Sequence, residues 1–519
     1  MVGIAANAQV KKREPVIEDV SVGSGRLDVA SEEAELELWD SRFMLRGDHE
    51  PEPTFRNARW GPRGWCKPSC IPITIILILI VLVVLLPLVD NQSVNEKPVK
   101  PTVPPVQLCK NSCRFSLVES IPEGMVYPKG STPHPSTVDT WLNLINMAEF
   151  SIEIASFYWT LQQGEVYPDP SSKQGGKVFQ SILDAGTKRN ISIFIAQNSP
   201  SESNPNIDTK YLAKQGAAQV RSVNFTKIMG GGVLHTKLWI IDRTHLYVGS
   251  ANMDWRSLTQ VKEMGAVAYN CSCLAGDMGK IFDVYWMLGL PDAQIPGSWP
   301  DKLGTQYNIQ APMNVTLNDI ETATYISSSP PSFCPAGRST DLSAILNVIG
   351  SAEKFIYISV MDYVPLTIYT PKVRLWQEID DALRAAAVSK FVKVHLLVSK
   401  WNHTKPAMAY FLRSLEALNG SYPGVEVLVK WFTVPVSPEQ EKIPFARVNH
   451  NKYMVTDKTA YIGTSNWSGD YFISTGGVGL VITESAVNGT QPDGVRAQLQ
   501  AVFERDWNSK YAQPLTEVR

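Results

Sequence analysis

The chain lacks a charge excess: 48 Lys and Arg face 50 Asp and Glu, a formal net charge of −2 over 519 residues. That removes the electrostatic footprint of a duplex nucleic-acid binder, while a small or end-bound anionic ligand stays open. Tyrosine is missing from residues 1–70, which excludes tyrosine-based sorting motifs there. No N-x-S/T triplet precedes residue 71, and no charge occurs between residues 71 and 89. No cluster of acidic metal ligands accompanies the motifs below, so neither metal nor other cofactor is expected.

The uncharged run "IPITIILILIVLVVLLPLV" is long enough to cross a bilayer as one helix. Arg56, Arg59, Arg63 and Lys67 crowd its N-terminal side and Asp90 opens the other, so a signal anchor with a cytosolic N-terminus is expected. A cleavable signal peptide is the rival, but no small-x-small site follows. Sequons give an independent check: Asn91, Asn190, Asn224, Asn270, Asn314, Asn402, Asn419, Asn466 and Asn488 all begin N-x-S/T triplets, and all lie after the run. Cys66 and Cys70 would sit on the reducing side, where palmitoylation is a weak expectation. Cys109, Cys113, Cys271, Cys273 and Cys334 would sit on the oxidising side, where disulfides are favoured over zinc and one thiol must be left over.

Residues 1–70 carry an acidic and then a basic stretch with few aromatics and read as a disordered cytosolic tail. The run at 71–89 is the anchor, and Pro-rich residues 90–114 form a stalk. The folded body then repeats itself. "IEIASFYW" (152–159) resembles "IYISVMDY" (356–363), and "ISIFIA" (191–196) resembles "VKVHLL" (392–397), each pair separated by a helical stretch. Strands alternating with helices predict two mixed α/β sandwich halves, residues 115–300 and 346–519, joined by a segment at 301–345 and related by a pseudo-twofold axis.

Each half contains one H-x-K-x4-D motif, "HTKLWIID" from His235 and "HNKYMVTD" from His450, followed by "GSAN" (249–252) or "GTSN" (463–466). The apolar residues around the first motif read as a buried strand. A buried ammonium there is costly unless an anion meets it. Residues two apart share a strand face, so His235 goes with Lys237 and His450 with Lys452, while Asp242 and Asp457 have the opposite parity and are expected to be structural. If the halves meet about their axis, two ammoniums and the amides of Asn252 and Asn466 surround one phosphoryl group without metal. One imidazole attacks phosphorus to form a phosphohistidine, and the other protonates the leaving oxygen and then activates water or an alcohol. Glu263 lies eleven residues after Asn252, where the second half has Gly477 after Asn466. It is expected to hold His235 as the nucleophile.

These paired motifs resemble those of the phospholipase D superfamily. "LVESIPEG", "ASFYWTL", "GSANMDWRSLTQVKEMGAVAYNCSC", "RVNHNKYMVT" and "GTSNWSGDYF" are similar to the branch of members three and four, over nearly everything from Cys109 to Tyr511. The resemblance implies a single-pass type II glycoprotein of endoplasmic reticulum, Golgi and endosome whose catalytic part reaches lysosomes and can be released by proteolysis. It implies a 5′-3′ exonuclease on single-stranded DNA and RNA that limits endosomal nucleic-acid sensing, with His235, Lys237, Asn252, His450, Lys452 and Asn466 as the catalytic set. It also implies that Cys109 and Cys113 pair with Cys271 and Cys273. Lys400 stands where the branch has a further cysteine, leaving Cys334 as the odd thiol.

For bases to stack on, Phe157, Tyr158, Trp255 and Phe333 are the candidates, core packing being the alternative. Two other readings stay open: a phospholipid phosphodiesterase or transphosphatidylase making bis(monoacylglycero)phosphate, and an inert anion-binding receptor. A homodimer is also open. Glycans are expected at Asn190, Asn224, Asn270, Asn314, Asn402, Asn419 and Asn488, but not at Asn466, where one would block the cleft.

Overall fold

Two helices open the two halves in the same way. The Ser136 hydroxyl caps helix Thr137–Met147 by accepting the Asp139 N–H, and the Thr340 hydroxyl caps Asp341–Ser351 by accepting the Ser343 N–H. Each helix runs into the first strand of a parallel trio: Ser151–Ser156, Ser192–Asn198 and Gln219–Val223 in one half, Phe355–Val360, Lys393–Ser399 and Val427–Phe432 in the other. The computed structural model describes residues 113–162, 166–370, 372–484 and 494–515. The tail, the run at 71–89 and the stalk up to residue 112 lie outside them. Among the described residues no helix is long and apolar enough to cross a membrane.

The duplication is complete at the level of topology. A seven-stranded sheet is ordered Arg114–Ser120, Glu263–Tyr269, His245–Gly249, Leu238–Ile241, Ser151–Ser156, Ser192–Asn198, Gln219–Val223. In the nine-stranded sheet the order Ile320–Ser329, Gly477–Glu484, Thr459–Gly463, Lys452–Thr456, Phe355–Val360, Lys393–Ser399, Val427–Phe432 repeats it position for position, with Met313–Leu317 and Ala512–Pro514 added at the edges. The segment at 301–345 is therefore more than a connection: it supplies two strands of the second sheet.

One core contains the facing sides of both sheets together with the long helices Ser272–Leu288 and Val495–Trp507. The outer faces have separate cores, under Thr137–Met147 and Lys173–Thr187 in the first half and under Asp341–Ser351, Glu378–Lys390 and Pro406–Glu416 in the second. Burying alternate strand residues on both sides is what the near-continuous apolar runs require.

The two motif aspartates have matching positions. The Asp242 carboxylate accepts the N–H groups of Glu149, Phe150 and Ser151 at 2.8, 2.8 and 2.6 Å. Asp457 accepts those of Glu353 and Lys354 at 3.0 Å each, with Phe355 at 3.5 Å. Each ties the loop entering the central parallel strand to the end of the motif strand, where otherwise unpaired backbone donors would be left. In both sheets the parallel strands end, and the motif strand begins, at the same edge. That edge is where the chemistry-bearing residues collect.

Candidate active site

The motif histidines do not lie on regular strand. Leu238–Ile241 starts after Lys237, and Lys452–Thr456 starts after His450. The sequence expectation of a strand running through His235 is corrected here, because the backbone before Lys237 pairs with the other half. The His235 N–H donates to the Gly476 carbonyl at 2.9 Å and the Gly476 N–H to Val233 at 2.8 Å. The counterpart pair runs from Lys262 to Val448 at 2.9 Å and from His450 to Lys262 at 2.8 Å. Two short backbone zippers thus place the two motifs at one seam.

The imidazoles are both buried and differently supported. His450 Nδ1 lies 2.8 Å from Glu263 Oε2, while His235 Nδ1 lies 3.0 Å from the Thr464 carbonyl oxygen. Glu263 therefore serves the opposite half and not His235, contrary to the sequence reading. Spacing along one chain could not show this, because the contact exists only through the seam. The Ser250 hydroxyl, 2.5 Å from Glu263 Oε2, fixes the carboxylate. At Gly477, the matching position, a Cβ would come within 2.3 Å of Ser465 Oγ and 2.8 Å of Ser329 Oγ, so a side chain there would have to displace both hydroxyls.

Each lysine folds back on its own motif: Lys237 Nζ donates to the His235 carbonyl at 2.6 Å and Lys452 Nζ to the His450 carbonyl at 2.9 Å. The asparagines are held by equivalent positions in the two halves. Asn252 Nδ2 lies 3.4 Å from the Tyr158 hydroxyl, and Asn466 Nδ2 lies 3.4 Å from Asp362 Oδ2 and 3.0 Å from the Tyr471 hydroxyl. Asp362 and Tyr471 were missed in the sequence, although aligning "IEIASFYW" with "IYISVMDY" sets Tyr158 against Asp362.

Burial pushes both histidines down, His450 to about 4 despite Glu263, and His235 well below its ordinary value. For His235 the positive charges of Lys237, Lys452 and His450 add to the effect, which is the electrostatic signature of motifs meeting across the seam. Burial also pulls Lys452 down to about 7, opposed by Glu263 and Asp362. The depressed Lys452 is a buried ammonium in a poorly solvating site, and an anion bound beside it would favour its charged form.

The aromatic candidates separate. Phe157 is half-buried beside His235, ring centroids 5.5 Å apart, with Lys237 Nζ 5.9 Å from its ring. Tyr158 is buried and donates to Asp254 Oδ2 at 2.9 Å, so it positions Asn252 and offers no face. Trp255 and Phe333 are corrected to core residues: Trp255 packs with Ile443 and Ala446, and Phe333 packs against Phe225 and Tyr285. Among the described residues no group of three or more His, Cys, Asp or Glu is placed to hold a metal.

Cys113 is bonded to Cys271 and Cys273 is also in a disulfide, while Cys334 is free. Cys109 lies outside the described residues. Asn190, Asn224, Asn270, Asn314, Asn402 and Asn419 are exposed and Asn466 is buried; Asn91 and Asn488 are not among the described residues.

Duplicated α/β halves that bring two His–Lys motifs to one seam define a phosphodiesterase of the phospholipase D superfamily. More narrowly, a family model described as "PLD3/4, PLD-like domain" matches residues 130–437, and the chain belongs to that family. It is 51% identical over 405 residues to the 5'-3' exonuclease PLD3 of Xenopus laevis, covering 78% of this chain and 81% of that protein. It is 48% identical over 408 residues to human 5'-3' exonuclease PLD3 (78% and 82% covered) and, over 408 residues, to mouse 5'-3' exonuclease PLD4 (78% and 80%). A solved phosphatidylserine synthase of Haemophilus influenzae shares the fold at a TM-score of 0.50 and 13% identity, over 74% of this chain and 86% of that one.

Proposed function

We propose that this phosphodiesterase is a 5′-3′ exonuclease on single-stranded DNA and RNA, acting through a phosphohistidine on His450. The observation that carries the mechanism is the contact of Glu263 with His450 across the seam. Attack by His450 Nε2 on phosphorus forms a P–N bond, breaks the bond to the leaving oxygen and leaves a cationic imidazole; Glu263 is the counter-charge already in place at Nδ1. His235 acts as the acid, its Nδ1–H fixed on the Thr464 carbonyl and its Nε2–H given to the leaving oxygen. Neutral in the empty pocket, His235 gains that proton as the phosphodiester anion offsets the neighbouring ammoniums. Water then attacks phosphorus, giving its proton to His235, and the P–N bond breaks. Lys237, Lys452, Asn252 and Asn466 surround the non-bridging oxygens, whose charge is greatest in the transition state.

Two features support nucleic acid as the substrate. The relatives that cover most of the chain are named 5'-3' exonucleases, and Phe157 presents a half-buried ring beside His235 on which a terminal base can stack. The uncharged run at 71–89, six exposed sequons and a disulfide support an anchored type II glycoprotein with its catalytic part in the endolysosomal lumen, where it would limit nucleic-acid sensing.

The purified full chain is incubated with end-labelled single-stranded oligonucleotide and, separately, with phosphatidylglycerol. Stepwise release from the 5′ end, lost in His235→Ala and His450→Ala, is the expected result. Phosphatidyl transfer without nucleotide release would replace this reading with the lipid one.

A further inference from the structure

At the edge of the second sheet where His450 and Lys452 emerge, the loop at 400–405 leaves strand Lys393–Ser399 and enters helix Pro406–Glu416. Lys405 lies at its end, half-buried. Among the described residues it has no carboxylate within ion-pair distance, and its ammonium makes no hydrogen bond; it lies 5.3 Å from the centroid of the Tyr369 ring. Desolvating a lysine that has no direct ion pair is unfavourable, and the aromatic ring and the more distant charge of Asp362 offset only part of that.

The Tyr369 ring is not free to wander. The Asp470 carboxylate accepts the N–H groups of Ile368 and Tyr369 at 2.7 and 3.2 Å, fixing the hairpin that carries it. From there a short path leads to the reaction centre: Tyr369 to Tyr471 at 6.1 Å between ring centroids, then Tyr471 to His235 at 5.0 Å. Asp362, the carboxylate that holds Asn466, feels the charges of both Lys405 and Lys452.

The matching loop of the first half differs. The corresponding loop after Ser192–Asn198 reads "SPSESNPN" and carries no lysine or arginine. The motifs at the centre match, and the two loops beside them differ in charge.

We propose that Lys405 and Tyr369 form a subsite for the phosphodiester one nucleotide away from the scissile one, the ammonium meeting its non-bridging oxygens and the ring meeting the adjacent base. The subsite rests on the nucleic-acid reading of the site, and it gives the bound strand a direction. A half-buried lysine in one loop with no basic residue in the matching loop makes productive binding of a chain end depend on which way the following phosphate runs.

The test compares a dinucleoside monophosphate, which has only the scissile diester, with a trinucleoside diphosphate, which has one more. In Lys405→Ala the loss of kcat/KM is expected to be about tenfold greater on the trimer than on the dimer, the size of one hydrogen bond to a charged group. The salt slope on the trimer should fall by about 0.7, as for one fewer phosphate contact on a single strand. Lys405→Arg should restore most of the difference, and Tyr369→Ala should reproduce part of it. Lys405→Gln, which keeps the stem over Tyr369, serves as the second variant if Lys405→Ala does not fold. Equal losses on dimer and trimer would overturn the subsite while leaving the nuclease reading intact. A wild-type chain that releases nucleotide from neither substrate would end the nuclease reading and the subsite with it.

Discussion

Glu263 and His450 belong to opposite halves of the duplication, yet their side chains meet at 2.8 Å with both groups buried. The second half contributes the imidazole and the first half the carboxylate that orients it. Neither half alone brings a carboxylate to its own motif histidine, so the asymmetric function of a symmetric fold is created at the seam.

Replacing that carboxylate should damage the chemical step rather than binding. In Glu263→Gln the side chain keeps its volume and an oxygen toward His450, but loses the charge that stabilises a cationic imidazole. A fall in kcat of about 10²- to 10⁴-fold with KM little changed is expected, by analogy with triad carboxylates. Steady-state kinetics on an oligonucleotide separates the two parameters, and a change confined to KM would remove Glu263 from the mechanism.

The same geometry assigns the covalent intermediate. Rapid acid-free quenching during turnover, followed by peptide mapping at alkaline pH, should find the phosphoryl-linked product on the peptide with His450. The adduct should accumulate in His235→Ala on a substrate with a good leaving group, since that variant lacks the group that activates water. An adduct on His235 would exchange the two roles.

Much of this architecture was legible in the chain. Strand–helix alternation, the two H-x-K-x4-D motifs and the parity of Asp242 and Asp457 all follow from local periods, which backbone geometry imposes within a few residues. What escaped is what depends on contacts between halves. Glu263 follows Asn252 closely in sequence, so it was paired with His235, whereas the zipper of Lys262 with Val448 and His450 carries it to the other histidine. Trp255 and Phe333 were aromatic candidates for stacking, but residue type says nothing about whether a ring faces the site or the core. The run at 301–345 shows no repeat, because the two strands it adds include one, Met313–Leu317, at a sheet edge without counterpart in the first half.

Acid should cost the folded state what its buried histidines refuse to accept. His450 titrates near 4 in the fold because burial opposes its charge, but near the ordinary 6.5 once unfolded. Between those values the unfolded chain binds more protons, so this contribution is whole above pH 6.5 and falls as pH drops toward 4. Glu153 and Asp341, pushed up by burial to about 7 and about 6, act in the opposite sense and gain as pH falls. Comparison with His450→Gln isolates the histidine: wild-type stability relative to the variant should drop by about 3 kcal/mol from pH 7 to pH 4. Denaturant unfolding at both values measures it, and parallel behaviour of the two proteins would show that His450 is not held neutral.

Truncating aromatics should sort them by location. Phe157→Ala is expected to raise KM for oligonucleotides severalfold, with a stacking loss of about 1–3 kcal/mol and little change in thermal stability. Trp255→Ala and Phe333→Ala remove fully buried side chains and should lower stability by about 3–5 kcal/mol. Unfolding midpoints read beside kinetics decide it; a stable Trp255→Ala with impaired binding would return that ring to the substrate path.

Asn466 offers a test of the site that needs no assay of activity. It begins the triplet Asn-Trp-Ser, so sequence alone marks it as an acceptor equal to the other sequons. Its amide nitrogen, the atom a glycan would modify, instead donates to Asp362 and Tyr471, and the residue is only 2% exposed. A bulky sugar there cannot coexist with the folded seam, because two buried polar groups would lose their partner and the cleft would be filled. The exposed Asn190, Asn224, Asn270, Asn314, Asn402 and Asn419 face no such conflict. Mass spectrometry of secretory-pathway protein after enzymatic deglycosylation in heavy-oxygen water should therefore mark those six positions and leave Asn466 unlabelled. A labelled Asn466 in catalytically active protein would mean that the asparagine stands outside the phosphate site and that the arrangement of the second half has been misread.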